Sequence, residues 1–249
     1  MKTAGRTNSQ STARHPRRIG CAGIGVALVL GAGLGGCRAI QDYPSGGSRS
    51  SGGGGASATA PVDVSAEQLV AAGRRLRTQG DVDRALRAFE RAIEMNPQFT
   101  QAYLSAGDIY RERGDYASAE SNYARAAEVE PRNFDAQYFH GLTLQLLQRF
   151  NEAIRAYLRA LAIRPDDFQA NLNIATAYLQ VGEATQGLGY AQRAVRVNPG
   201  SGEARVNLAS IYAGMNRHQD AVNELQQASE MMELNSSLLL NLANSLYQL

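Results

Sequence analysis

Side chains that carry out chemistry are scarce in this chain. Its 249 residues include two cysteines and three histidines, so nucleophile–base pairs and metal sites have few members to draw on. His15, His140 and His218 stand far apart, and no His, Asp and Glu group falls at metal-ligand spacing. Strand patterns are missing as well, which leaves no strand–loop–helix place for a glycine-rich phosphate cradle. The longest apolar run, Ile19 to Leu34, is broken by Gly20, Gly23, Gly25, Gly31 and Gly33 and falls short of the roughly 20 residues a spanning helix needs. A concentrated basic face is also absent. The chain carries 25 Lys+Arg against 23 Asp+Glu, but Lys2, Arg6, Arg14, Arg17 and Arg18 meet no acid in residues 1–37, so the remainder is mildly acidic at 20 against 23. These absences leave no basis for catalysis, a metal, a cofactor, a small-molecule substrate or a nucleic-acid partner.

What the chain does have is a period. Pro97, Pro131, Pro165 and Pro199 stand 34 residues apart. Rows of that length from Ala66, covering 66–99, 100–133, 134–167, 168–201 and 202–235 with a part row 236–249, align far more than proline. Column 4 reads Leu69, Tyr103, Gln137, Asn171, Arg205, Leu239, and column 8 reads Gly73, Gly107, Gly141, Ala175, Ala209, Ala243. Column 24 is Phe89, Tyr123, Tyr157, Ala191, Leu225, and column 27 is alanine in all five full rows. Columns 4, 7, 8 and 11 are spaced i, i+3, i+4, i+7 and share a stripe of a first helix, while 20, 24 and 27 share one on a second. Each row is therefore predicted to be a helical hairpin. Gly80, Gly114, Gly182 and Asn216 at position 15 suit a left-handed turn between the helices, and proline at 32 ends the second one. One hairpin buries too little to fold alone, so the rows must stack. Row four departs most, with Gly187 where alanine belongs, Gly189 after it and Ala191 where a bulky side chain is expected. That predicts a loosened helix which Gly187→Ala would tighten.

These columns resemble the tetratricopeptide repeat (TPR) family from Ala66 to Leu249. The resemblance implies an all-α fold, a right-handed superhelical solenoid of about five TPR helical hairpins plus a C-terminal capping helix over 236–249. In that cap Leu239, Leu242, Ala243 and Leu246 are expected to cover row five.

Residues 1–36 read as a secretory signal peptide, with a basic, acid-free start and an apolar, glycine-rich run. The run ends in Leu34-Gly35-Gly36-Cys37, which resembles the lipobox of bacterial lipoproteins. That resemblance implies cleavage before Cys37 and acylation of its thiol, with Cys21 discarded. Residues 37–65 are mainly Gly, Ser, Ala and Pro and read as a disordered tether, for which about 26 flexible residues give an r.m.s. span of roughly 25–30 Å. The expected location is the extracytoplasmic side of a bacterial envelope, held by lipid, at the outer membrane where there are two.

In the TPR family a second stripe of the first helix, positions 2, 5, 9 and 12, lines a concave groove. Here rows one and two place mixed charge on it, including Glu67, Arg74, Arg77, Asp108 and Arg111, whereas later rows are largely apolar. Position 6 adds asparagine in three successive rows, and an amide can both give and take a hydrogen bond with an extended peptide backbone. The candidate partner-binding residues are Tyr138, Leu142, Leu172, Asn173, Thr176, Val206, Asn207, Leu240, Asn241 and Tyr247. The same stripe also serves to pack successive first helices. Lys or Arg at positions 2, 5 or 6, which family members use to clamp a terminal carboxylate, is missing there. Arg74 and Arg77 are expected on the rim, paired with solvent or neighbouring acids. The functional expectation is a membrane-anchored scaffold or adaptor that binds a peptide or partner protein through the groove. The alternative is a pilotin-like accessory lipoprotein that assists assembly of a pilus or secretion machine.

Overall fold

The computed structural model describes residues 64–232 and 236–249; the signal segment, Cys37 and the tether lie outside the described residues. Those residues form eleven α-helices and no strand. Five hairpins follow one another: α1 (Ala66–Thr78) with α2 (Val82–Met95), α3 (Thr100–Glu112) with α4 (Tyr116–Val129), α5 (Phe134–Leu146) with α6 (Phe150–Ile163), α7 (Phe168–Gln180) with α8 (Ala184–Val197), and α9 (Gly202–Gly214) with α10 (His218–Met231). A single helix, α11 (Ser236–Tyr247), ends the stack. This is an all-α solenoid.

Local chemistry sets the helix ends. Ser65 forms a capping box with Gln68, and Asp81, Asp115, Asn133, Asp167 and Ser201 each accept a hydrogen bond from the backbone N–H three residues on. Every hairpin turn contains one left-handed residue at position 15: Gly80, Gly114 and Gly182 with φ of 84°, 76° and 78°, and Asn216 with φ 59°. Row three uses Gln148 there at φ 59°, a turn that the glycine pattern passes over. Position 4 explains two buried amides. Gln137 Nε2 donates to the carbonyl of Pro131 at 3.2 Å and Asn171 Nδ2 to that of Pro165 at 2.8 Å, so each ties its helix to the proline turn before it.

Positions 8 and 24 behave as one unit. A Cβ built on Gly73 would lie 2.5 Å from a ring carbon of Phe89, and on Gly107 or Gly141 it would lie 2.8 Å from the rings of Tyr123 or Tyr157. Rows four and five change both partners, pairing Ala175 with Ala191 and Ala209 with Leu225. Columns 3 and 10, outside the stripe read from the sequence, are also interior: Ala102, Ala136, Ala170 and Ala204 and then Ile109, Ala177 and Ile211 are fully buried. They cluster with side chains of the preceding row, as Ala102 and Ile109 do with Phe89 and Ala92. A first helix thus has two packing faces. Positions 4, 8 and 11 meet its own second helix, and positions 3, 7 and 10 meet the hairpin before.

That division corrects two expectations. In α11 the side chains buried against row five are Leu238 and Ser245 at positions 3 and 10, with Leu242 partly buried, while Leu239 and Leu246 are 49% and 52% exposed and Ala243 is exposed. Leu239, Ala243 and Leu246 occupy the face that meets a hairpin's own second helix, and α11 has none among the described residues. In row four, Gly187 is crowded rather than loose. A Cβ there would meet Ile211 Cδ1 at 2.9 Å and the Ala175 carbonyl oxygen at 3.2 Å, so alanine would not simply tighten the helix. Gly189, two residues on, has nothing within 4 Å of an added Cβ.

Candidate partner-binding face

Successive first helices touch one another along the stack, whereas successive second helices do not. The first helices therefore line the tighter, inner side, and their free faces make the wall of a groove. Position 5 packs within that wall. Val70, Leu104 and Leu172 are 3%, 8% and 4% exposed, and Leu172 is enclosed by Ala194 and Ala204. Leu172 is thus a packing residue of the wall, not accessible surface. Tyr138, Leu142, Asn173, Thr176, Val206 and Asn207 are half-buried along the inner side. Asn241 is half-buried on α11, where Leu240 and Tyr247 stand 61% and 87% exposed.

The asparagine column stitches rows together. Asn173 Nδ2 donates to the Tyr138 hydroxyl at 3.2 Å, and Asn207 Nδ2 donates to Thr176 Oγ1 at 2.7 Å. Thr176 in turn donates to the carbonyl of Leu172 at 3.1 Å. These amides have spent a donor on the row before, while the buried Oδ1 of Asn207 has no partner. Burial pushes the Tyr138 hydroxyl above its ordinary pKa and keeps it protonated.

Rows one to three close the other end with charge. Arg77 pairs with Asp108 at 3.7 Å and with Glu112, and Arg111 lies 3.7 Å from Asp108. The Tyr123 hydroxyl donates to Asp108 Oδ1 at 2.7 Å and accepts from Arg111 Nε at 3.3 Å. Burial, then the Asp108 carboxylate, raise its pKa. Arg111 also sits 5.6 Å over the ring of Phe139, which stacks on Tyr123 with 5.5 Å between centroids. Both arginines are thus held by acids, as expected of Arg77, while Arg74 is exposed. Phe139 was not among the candidates. The signal was its place in column 6, where an aromatic interrupts Ala71, Ser105, Asn173 and Asn207.

Behind the groove, His140 sits where rows two and three meet, its Nε2 3.3 Å from Glu120 Oε1. Burial lowers its pKa despite the carboxylate. Among the described residues no group of His, Cys, Asp or Glu could hold a metal ion, and no helix is long and apolar enough to cross a membrane.

Solved structures share this architecture. YrrB, a TPR protein with an unusual peptide-binding site, has a TM-score of 0.67 at 21% identity, over 72% of this chain and 92% of its own. MamA from Desulfovibrio magneticus gives 0.62 at 20% identity, over 67% and 94%, and a TPR protein from Parabacteroides merdae gives 0.65 at 18%, over 74% and 73%. At such identities the likeness is one of fold. Among curated protein sequences none matches. A family model, the tetratricopeptide repeat, matches residues 70–121, 104–168 and 172–230, which together take in more than half of the chain. The chain belongs to the tetratricopeptide repeat family.

Proposed function

We propose that this protein is a lipid-anchored scaffold of a bacterial envelope, acylated at Cys37, which presents a TPR groove to an extended segment of a partner protein. The observation that carries the binding half is the continuous inner face of first helices, where Tyr138, Leu142, Asn173 and Thr176 combine half-buried apolar and hydrogen-bonding groups. Such a mixture suits an extended chain, whose backbone needs polar partners and whose side chains need apolar ones. Arg77 and Arg111 in rows one and two are already paired with acids, which weighs against their capture of a free carboxylate. YrrB, of the same fold, is described as having a peptide-binding site. The anchoring half is carried by Leu34-Gly35-Gly36-Cys37 after a basic and then apolar start, followed by the Gly/Ser tether. Two or three acyl chains, at about 0.8 kcal/mol per buried methylene, anchor stably where one does not.

One experiment reads both halves. The full chain, carrying a photo-crosslinking residue in place of Leu142, is expressed in a bacterium fed a clickable fatty acid, and membranes are separated. The expected protein is acyl-labelled and membrane-bound, and it crosslinks to a defined partner from position 142 but not from the outer-face position Gln219. Cys37→Ser should lose the label. A label that persists in Cys37→Ser overturns the anchor, and equal crosslinking from both positions overturns the groove.

A further inference from the structure

Five of the ten large apolar side chains that stand exposed among the described residues lie between positions 239 and 249: Leu239, Leu240, Leu246, Tyr247 and Leu249, from 49% to 87% exposed. A patch of that kind on a soluble surface marks an interaction site. Residues 236–249 also contain no charged side chain. Leu239, Ala243 and Leu246 form one stripe, flanked by Leu240 and Tyr247. In the full rows this stripe seats a second helix, and in rows one to three its position 8 is where that helix packs an aromatic ring.

We propose that a second copy of this chain covers the stripe, with the two α11 helices antiparallel about a two-fold axis near Ala243. The stripe reads bulky, small, bulky, and is close to palindromic about Ala243. Antiparallel pairing therefore sets Leu239 against Leu246 of the second copy and the reverse, while the alanines let the helices approach where they cross. A helix without charge offers a charged partner no complement, yet meets its own copy without repulsion. Head-to-tail stacking is disfavoured at the other end of the solenoid. There the face that would be buried is Gln68, Ala72 and Arg75, all exposed, where inner rows place mostly alanine, isoleucine and other small or apolar residues, His140 excepted. Burying Arg75 there would strand a guanidinium, since α11 has no acid to receive it.

Sedimentation equilibrium of the full chain in density-matched detergent tests this, together with cysteine crosslinking in a Cys21→Ser/Cys37→Ser background. Ala243→Cys should form a covalent dimer under mild oxidation, whereas Gln68→Cys should not. Leu246→Glu should weaken the dimer at least about tenfold while leaving the thermal transition of the repeats in place, because that side chain is already half exposed. A monomer at tens of micromolar, as a marginal interface would give, overturns the proposal. So does a Gln68→Cys/Ala243→Cys crosslink between copies, or a dimer that survives Leu246→Glu. Capture of a different protein on α11 while the chain alone stays monomeric overturns it equally.

Discussion

Gly73 and Phe89 offer a direct test of how the hairpins are packed. Alanine at position 73 would gain about 1 kcal/mol of helix propensity. Its Cβ would also lie 2.5 Å from Phe89 Cε1 and 2.9 Å from Cδ1 and Cζ, so no small torsion relieves the clash and the ring must move as a body. Phe89 is fully buried in a cluster with Ala85, Ala92, Ala102 and Ile109 and has no free direction to move. Overpacking of this kind costs about 1–3 kcal/mol, and a ring this confined belongs at the upper end, which leaves a net loss of about 2 kcal/mol for Gly73→Ala. Phe89→Leu alone should cost about 1.5 kcal/mol as a near-conservative shrinkage. The double variant reproduces the pair that row five uses, Ala209 with Leu225, and removes the clash. Its loss should therefore fall short of the summed single losses by about 3 kcal/mol, the relieved clash itself and the upper end of the range for residues in contact. Urea unfolding of the full chain, followed by circular dichroism, measures all three. Gly73→Ala raising the midpoint, or additive losses in the double variant, would refute the coupled-pair account.

Three further outcomes follow from the same packing. Gln148→Gly should stabilise by about 1 kcal/mol in chemical denaturation, because Gln148 holds φ 59° with a side chain and glycine does so freely. Gly189→Ala should gain about 0.5–1 kcal/mol, while Gly187→Ala, against Ile211 and the Ala175 carbonyl, should lose stability despite the same propensity gain; both show as opposite shifts of Tm. His140, whose pKa burial lowers from an ordinary 6.5, binds fewer protons folded than unfolded. Its contribution to stability is complete above about pH 6.5 and is lost as pH falls from there through the lowered folded pKa. Urea midpoints between pH 7 and 5 should therefore fall less steeply for His140→Gln than for the wild type.

Much of the fold was legible because the repeat prints its own rules several times over. Three glycines and an asparagine at position 15 announce a left-handed turn that no single turn would have announced, and prolines at 32 mark where second helices stop. The failures share a cause. Gln148 was missed because a column identifies the residue a backbone prefers, and the row that tolerates a worse one is silent. Gly187 looked like a defect because propensity is local, whereas the group that needs the space, Ile211, comes from the next row. Leu172 was counted as groove because position 5 belongs to the stripe that lines the groove in the TPR family. Its burial comes from Ala194 on the following helix and Ala204 on the next row. Periodicity finds helix faces and leaves their distribution among neighbours to the stack.

The last helix shows most clearly that a column's role belongs to the stack and not to the residue. Leu239, Ala243 and Leu246 continue columns 4, 8 and 11 as faithfully as any full row does, yet they face outward, while Leu238 and Ser245, from columns the sequence reading left out, are buried. The difference is that, among the described residues, α11 has a preceding hairpin and no second helix packed on it. Column identity therefore predicts what a face can bind rather than what it does bind. Across rows one to five the 4, 8, 11 face is filled by helix, with glycine or alanine at its centre and bulkier groups toward its ends. A surface of that shape, left open and without charge, retains the geometry for receiving a helix. The groove does not. Its asparagine donors at 173 and 207 are committed to Tyr138 and Thr176, its position 5 is largely wall, and Arg77 and Arg111 are held by acids. A peptide lying there would meet a preformed, partly satisfied surface, whereas a helix docking on α11 would complete an unfinished one. The apolar free energy still to be gained is therefore concentrated at the C-terminal helix.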